Sequence, residues 1–130
     1  VWNWQLNDGV AAGSARDQFR RMRTLSRLLT TGCNIPVFVA GHATIEPIDR
    51  AKLEPRFQWL NQFDPDDALG WPLRQLSAGY EALVEDVQVN AGGGSLFGWL
   101  KSVTPYSHTQ YWRTTTVIER IAVSLREVLP

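Results

Sequence analysis

Three carboxylates lie within four residues of this 130-residue chain, at Asp64, Asp66 and Asp67. They directly follow residues 57–63, an aromatic-rich segment that is predicted to be a buried strand. Ligands and catalytic groups collect at the carboxyl ends of strands in open α/β sheets, so this run is a candidate for acid or base chemistry. The alternative is a solvated turn in which one Asp caps the next element.

His108 is the better catalytic candidate of the two histidines. It lies in segment 107–112, with the sequence SHTQYW, just before the last predicted helix. An imidazole titrates near neutral pH and can therefore take up and return a proton. A surface or capping histidine is the alternative interpretation. His42 lies in a plain loop, where nothing nearby supplies a partner, and it is not predicted to be catalytic.

The order of these residues favours a catalytic pair. Asp67 precedes His108 by 41 residues, and in α/β hydrolases the triad runs serine, acid, histidine along the chain. The carboxylate holds one ring nitrogen in such a triad, while the other nitrogen activates a serine hydroxyl. No Gly-x-Ser-x-Gly elbow occurs in this chain. Ser95 has a phenylalanine in place of the second glycine and follows the acid, and Ser14 has no strand before it, so neither is a predicted nucleophile.

Composition excludes several classes of function. Thirteen basic and thirteen acidic residues leave no net charge to attract nucleic acid or an anionic membrane. No apolar run is long enough to span a membrane. No signal peptide is recognised, so a cytoplasmic location is favoured over secretion, although the sequence does not fix the compartment.

Neither a cofactor nor a metal site is predicted. The single cysteine and the two histidines lack zinc-ligand spacing, and the three carboxylates lack a calcium-loop pattern, although carboxylates in one turn can ligate a hard cation. Cys33 is the single cysteine, which excludes an internal disulfide. A small buried thiol is the expected state of Cys33, and a reactive thiol is the alternative.

The elements that must position these residues alternate between helices and strands, which predicts the α/β class. Strands are predicted at residues 57–63 and 84–90, and at residues 25–31, where a continuing helix is the alternative. Residues 35–41 are expected to be a short strand or extended segment. Helices are predicted at residues 1–8, 17–25, 76–83 and from residue 115 onward.

Three segments together resemble a known family. Residues 57–73, 84–90 and 107–112 resemble the C-terminal half of bacterial α/β-hydrolase-like proteins related to serine esterases and lipases. Those proteins show a strand ending in an Asn-x-x-Asp-x-Asp-Asp-like turn and, later, a Ser-His-x-x-Tyr-Trp-like motif. Residues 30–36 look like their Thr-Phe-Gly-Ser-Pro-like segment. The resemblance covers most of the chain.

The resemblance implies a mostly parallel sheet with flanking helices, in a single partial domain over residues 1–130 that is incomplete at its N-terminus. It places the family's acid on Asp67, with Asp64 and Asp66 as alternatives, and the family's histidine on His108. The serine nucleophile and the oxyanion hole are expected to precede Val1, so the chain is expected to be inactive alone. A non-catalytic α/β-hydrolase-like interaction module is the alternative.

The implied substrate is a small-molecule ester or lipid, with no nucleic acid partner. Trp112 is expected to pack beneath His108. Four further aromatic residues are candidates for an acyl pocket, with ordinary packing as the alternative: Trp71, Phe97, Trp99 and Tyr106. Association through an exposed sheet edge is also expected, because unpaired strands attract partners.

Overall fold

A computed structural model describes residues 10–91 and 107–129, and the side chain of Ser107 is not among the described groups. The strands are β1 (Arg27–Thr31), β2 (Gln58–Phe63) and β3 (Val84–Gln88). The α-helices are α1 (Ala15–Arg20), α2 (Ile35–Val39), α3 (Ala78–Leu83) and α4 (Thr115–Arg126). Short 3₁₀ helices cover Arg50–Lys52, Arg74–Leu76 and Ser107–Arg113. The helix predicted at residues 1–8 lies outside the described residues.

The three strands form one parallel sheet in the order β1-β2-β3. The register pairs Thr31 of β1 with Gln62 of β2, and Gln62 with Val87 of β3. Parallel neighbours need a crossover connection, which α2 provides between β1 and β2, and α3 between β2 and β3. The α/β class is therefore confirmed, and the described sheet is parallel throughout.

The ends of the strands follow from local sequence. The strand predicted at residues 25–31 is found at Arg27–Thr31, where β1 pairs with β2 along its whole length and stops before Gly32, so the segment is not a continuing helix. Gly32 has a φ of 57°, in the left-handed region that glycine adopts without steric cost. This turn ends β1 and directs the chain toward α2.

The expectation of a strand over residues 35–41 is wrong, because Ile35–Val39 forms α2. Pro36 lies in the first turn of this helix, where its missing N–H costs no intrahelical hydrogen bond. A short apolar run does not distinguish strand from helix by periodicity. The segment has no strand partner in the described sheet, and Val37 and Phe38 stay largely exposed.

Two helices begin at serine caps. The side chain of Ser14 accepts a hydrogen bond from the backbone of Asp17, and that of Ser77 accepts one from the backbone of Tyr80. Asp17 therefore lies in the first turn of α1 rather than capping it, and its carboxylate accepts from the Gly13 backbone and from Arg21. The Gly13 hydrogen bond, followed by that of Arg21, lowers the pKa of Asp17. The helix predicted at residues 17–25 is thus displaced toward the N-terminus.

Apolar side chains cover both faces of the sheet. Successive strand residues point to opposite faces, so Val84 and Val87 belong to different clusters. One cluster packs around Trp59 and Leu73, and its buried members are Ile48, Leu53, Phe57, Trp59, Leu73, Tyr80 and Val84. The other contains Val89, Ala91, Tyr111 and Val117, with Val87 and Ile121 packed against it. This second cluster joins the segment after β3 to α4.

None of the helices in the described part of the chain combines the length and the apolar character that crossing a bilayer requires.

Candidate active site

The carboxylates in the turn after β2, at Asp64, Asp66 and Asp67, have different surroundings. Asp64 is buried, and its two carboxylate oxygens accept hydrogen bonds from the backbone N–H groups of Asp66 at 3.0 Å and Ala91 at 2.6 Å. Because Ala91 follows β3, Asp64 links the carboxyl ends of two neighbouring strands. Asp66 is exposed. Neither residue is the carboxylate that contacts His108.

Asp67 is the carboxylate that meets the candidate histidine. His108 Nδ1 lies 2.9 Å from Asp67 Oδ2, although the residues are 41 positions apart in the chain. The Asp67 side chain is fully buried, whereas that of His108 is 32% exposed. The other carboxylate oxygen, Oδ1, accepts from the Leu69 backbone N–H at 2.9 Å. The structure thus selects Asp67 from the three candidates and pairs it with His108.

Tyr111 is a third member of this site that the sequence interpretation missed. Its hydroxyl donates to Asp67 Oδ2 at 3.0 Å and accepts from the Asp64 backbone N–H at 2.8 Å. The residue is only 1% exposed. Burial raises the pKa of the Tyr111 phenol far above its ordinary value, and the negative charges of Asp67 and Asp64 raise it further. The Asp64 backbone hydrogen bond acts in the opposite direction. The phenol therefore stays protonated and acts as a donor.

The position of Tyr111 leaves a signal in the sequence. A 3₁₀ helix has three residues per turn, so residues three apart in Ser107–Arg113 lie on the same side. This spacing brings Tyr111 under His108, with the two rings edge to face at a centroid distance of 6.2 Å. Trp112 was expected in that place, but it is 69% exposed. The spacing within SHTQYW thus identifies the tyrosine once the segment is known to be a 3₁₀ helix.

Two glycines, Gly32 and Gly70, make room for the side chains of Asp67, His108 and Tyr111 because they lack a Cβ atom. A Cβ atom on Gly32 would lie 2.6 Å from Tyr111 Cε2 and 2.9 Å from His108 Cε1. A Cβ atom on Gly70 would lie 2.5 Å from Asp67 Oδ2 and 2.7 Å from the Tyr111 hydroxyl oxygen. All four distances are shorter than the contacts that a Cβ atom makes in real structures. The turns after β1 and β2 therefore approach the site closely with their backbones.

A polar network inside the sheet holds the loop that follows Gly70. The Asn61 amide donates to the Trp71 carbonyl at 3.1 Å and to Asp86 Oδ1 at 2.7 Å. Asp86 in turn accepts from the backbone N–H groups of Leu73 and Arg74. Asn61 is fully buried, so these hydrogen bonds offset the cost of removing its amide from water. The sequence interpretation assigned neither Asn61 nor Asp86 a role.

The other sequence candidates do not join the site. His42 lies exposed in the turn after α2. Ser14 caps α1, and Ser95 lies outside the described residues. Trp71 is 48% exposed and follows Gly70 directly, which places it next to the site. The remaining acyl-pocket candidates, Phe97, Trp99 and Tyr106, also lie outside the described residues.

Cys33 follows the Gly32 turn and is partly buried. Burial raises the pKa of its thiol, and the charge of Asp86 adds to this effect, whereas a hydrogen bond from the Ile35 backbone opposes it. The thiol therefore stays protonated near neutral pH, as expected for a structural cysteine. Among residues 10–91 and 107–129, no group of three or more His, Cys, Asp or Glu side chains is arranged to hold a metal ion.

Comparison with models of protein families, with curated proteins and with solved structures finds no match to this chain.

Proposed function

We propose that Asp67 and His108 are the acid and the general base of a serine hydrolase that acts on carboxylic esters or lipids. The observation that carries this proposal is the 2.9 Å contact between His108 Nδ1 and the fully buried Oδ2 of Asp67. A buried carboxylate that orients a partly exposed imidazole is the arrangement that acyl-transfer triads use. Its position beside the carboxyl ends of parallel strands supports the same interpretation.

Both carboxylate oxygens of Asp67 accept hydrogen bonds. Its two oxygens face the Leu69 N–H, the Tyr111 hydroxyl and His108 Nδ1. The negative charge favours the His108 tautomer that carries its proton on Nδ1. The Nε2 atom then has a free lone pair and can accept a proton from a nucleophile. His108 is 32% exposed, so its ring is accessible to a reacting group.

The proposed reaction proceeds in two halves. His108 Nε2 takes the proton of a serine hydroxyl while the serine oxygen attacks the ester carbonyl carbon. The tetrahedral intermediate collapses, the C–O bond to the alcohol breaks, and His108 returns the proton to the departing alcohol oxygen. His108 then takes a proton from water as the water oxygen attacks the carbonyl carbon of the acyl-enzyme. The C–O bond to the serine breaks, His108 returns the proton to the serine oxygen, and the carboxylic acid is released. Asp67 stays ionised and stabilises the imidazolium that forms twice in the cycle.

The proposed nucleophile is a serine outside the residues that the structure describes. Within residues 10–91 and 107–129, His108 has Asp67 as its hydrogen-bond partner and contacts no serine hydroxyl. The order serine, acid, histidine places the nucleophile before Asp67 in an α/β-hydrolase fold. We therefore include in the proposal a serine N-terminal to Val1 and a sheet of the α/β-hydrolase type. The three parallel strands, with the acid after β2 and the histidine after β3, support this choice.

The test compares two histidine substitutions in the full-length protein that carries this chain. Short-chain p-nitrophenyl esters report hydrolysis, and a fluorophosphonate probe reports an activated serine independently of the substrate. His108→Ala is expected to lower kcat by about 10⁴-fold or more and to abolish labelling. His42→Ala, which changes an exposed histidine away from the site, is expected to retain wild-type rates.

Equal hydrolysis by the wild-type protein and the His108→Ala variant would overturn the proposed role of His108. A full-length protein that neither hydrolyses esters nor reacts with the probe would instead favour a non-catalytic interaction module.

A further inference from the structure

The Tyr111 hydroxyl connects two parts of the site, the backbone at the end of β2 and the carboxylate of Asp67. The hydroxyl accepts a hydrogen bond from the Asp64 backbone N–H at 2.8 Å and donates one to Asp67 Oδ2 at 3.0 Å. The oxygen to which it donates is the one that lies 2.9 Å from His108 Nδ1. The two rings also pack edge to face at a centroid distance of 6.2 Å, a contact that does not involve the hydroxyl. The effect of the hydroxyl itself on His108 therefore passes through the carboxylate.

Two donors that share one carboxylate oxygen weaken each other. Each hydrogen bond draws electron density from Oδ2 and leaves less for the other, so the tyrosine limits how strongly Asp67 holds the His108 proton. The Asp64 N–H strengthens this effect, because donation to the phenol oxygen polarises the O–H bond that points at Asp67. Burial of Asp67 and Tyr111 keeps water from replacing the phenol as a donor to this carboxylate.

The packing around the phenol fixes this geometry. Gly32 and Gly70 lie so close that a single added carbon on either would overlap the tyrosine ring or its hydroxyl. The Leu69 N–H holds the second carboxylate oxygen. Neither the tyrosine nor the carboxylate can therefore rotate away while the backbone stays in place.

We propose that Tyr111 is a positioning residue, whose hydroxyl fixes the orientation of the Asp67 carboxylate and sets the strength of its hydrogen bond to His108. The link to catalysis rests on the proposed hydrolase function, in which Asp67 must orient the imidazole without over-stabilising its charged form. The hydrogen-bond relation itself is a property of this chain, and it can be measured without any turnover.

The readout is the ¹H NMR resonance of the His108 Nδ1 proton, which moves downfield as its hydrogen bond to Asp67 strengthens. Tyr111→Phe removes the competing donor and keeps the ring, so the resonance is expected to move downfield. Replacing tyrosine by 3-fluorotyrosine makes the phenol a stronger donor, so the resonance is expected to move upfield. The second change is nearly isosteric and keeps the test valid where Tyr111→Phe does not fold.

Two controls separate this effect from general structural change. Tyr80→Phe alters another buried tyrosine, which packs on Trp59 and contacts neither Asp67 nor His108, and it should leave the resonance in place. The 3-fluorotyrosine experiment is repeated in a Tyr80→Phe, Tyr106→Phe background, in which Tyr111 is the remaining tyrosine of the three.

Shifts of the His108 Nδ1 proton resonance in opposite directions for the two Tyr111 changes support the proposal. A merely structural role of Tyr111 gives no reason for the direction of the shift to depend on the donor strength of the phenol. An unchanged resonance in either folded protein, or shifts in the same direction, would overturn it. These outcomes do not depend on ester hydrolysis. If the expected shifts are observed but the protein does not hydrolyse esters, the hydrolase proposal is overturned and the positioning role of Tyr111 toward His108 is supported.

Discussion

At the scale of single residues, the two buried carboxylates of the turn after β2, Asp64 and Asp67, have different roles because they have different partners. Asp64 accepts backbone N–H groups and links β2 to the segment after β3. Asp67 is equally buried, but it faces an imidazole and a phenol. Of the two carboxylates, Asp67 is the one whose partner can change its protonation state during a reaction, because His108 can gain and lose a proton.

Asp67→Asn is expected to impair the proposed reaction without removing the side chain. An asparagine presents either a weaker acceptor or an N–H donor to His108, which favours the wrong tautomer. We expect kcat for ester hydrolysis by the full-length protein to fall by about 10⁴-fold. Asp66→Asn changes an exposed carboxylate of the same turn and should leave the rate unaltered. Similar rates for the two variants would contradict the assignment of Asp67.

Tyr111→Phe is expected to change how stability depends on alkaline pH. The folded protein raises the pKa of this phenol, so its contribution to stability is complete below its unfolded pKa of about 10 and is lost as pH rises above that value. The free energy of unfolding of the wild type should therefore fall more steeply above about pH 10 than that of the variant. Urea unfolding at neutral and alkaline pH measures both slopes, and identical slopes would argue against a buried neutral phenol.

At the scale of elements, the site depends on turns more than on the helices themselves. The Gly32 turn after β1, the Asp64–Asp67 turn after β2 and the 3₁₀ helix Ser107–Arg113 after β3 each supply one side of it. Parallel strands end at the same edge of a sheet, so these three segments meet although they are far apart in sequence. The helices α2 and α3 make that parallel arrangement possible as crossovers.

Gly32→Ala is expected to damage both stability and site geometry. An alanine there adopts an unfavourable φ of 57° and places its Cβ against Tyr111 and His108. We expect a loss of about 1–3 kcal/mol in the free energy of unfolding, together with loss of the His108–Asp67 proton resonance. Gly41→Ala is the matched control, because no atom lies within 4 Å of its added carbon. Equal urea midpoints for the two variants would contradict this close approach of the Gly32 turn.

At the scale of the whole molecule, β2 is the centre of the structure, because it pairs on both sides and is covered on both faces. Its buried Asn61 is accommodated by hydrogen bonds to Thr30 and Asp86 from the neighbouring strands. The side-chain amide of Gln62, also buried in β2, makes no hydrogen bond among the described residues. The outer strands β1 and β3 each pair on one side within the described sheet. Association through such an edge stays a prediction.

Leu73→Ala is expected to be among the more destabilising core substitutions. Leu73 is fully buried in the cluster around Trp59, and truncation leaves a cavity in addition to the lost apolar contact. The expected loss is about 2–5 kcal/mol in the free energy of unfolding. Leu129→Ala, at a position that is 66% exposed, should change it by less than about 0.5 kcal/mol. Urea unfolding of both variants tests this, and similar midpoints would contradict the assigned core.

The sequence by itself predicted the features that depend on local pattern. The alternation and aromatic content of β2 and β3 identified strands, and the period of α4 identified a helix. The order of Asp67 and His108, with their strand-end and pre-helix positions, led us to expect a pair, and the structure brings the two side chains within 2.9 Å. Their catalytic role stays a prediction. The strands and the helix were predictable because side-chain periodicity is a property of short segments.

Tertiary structure decided what depends on contacts between distant segments. The identity of Asp67 among three carboxylates, the place of Tyr111 rather than Trp112 against His108, and the need for Gly32 and Gly70 all follow from packing at the sheet edge. The helix α2 is a similar case, because an apolar run becomes strand or helix according to whether a strand partner is available. Local sequence cannot specify these outcomes, since burial and hydrogen-bond partners come from residues far away in the chain, 47 positions for Asp64 and Tyr111 and 100 for Arg27 and Glu127.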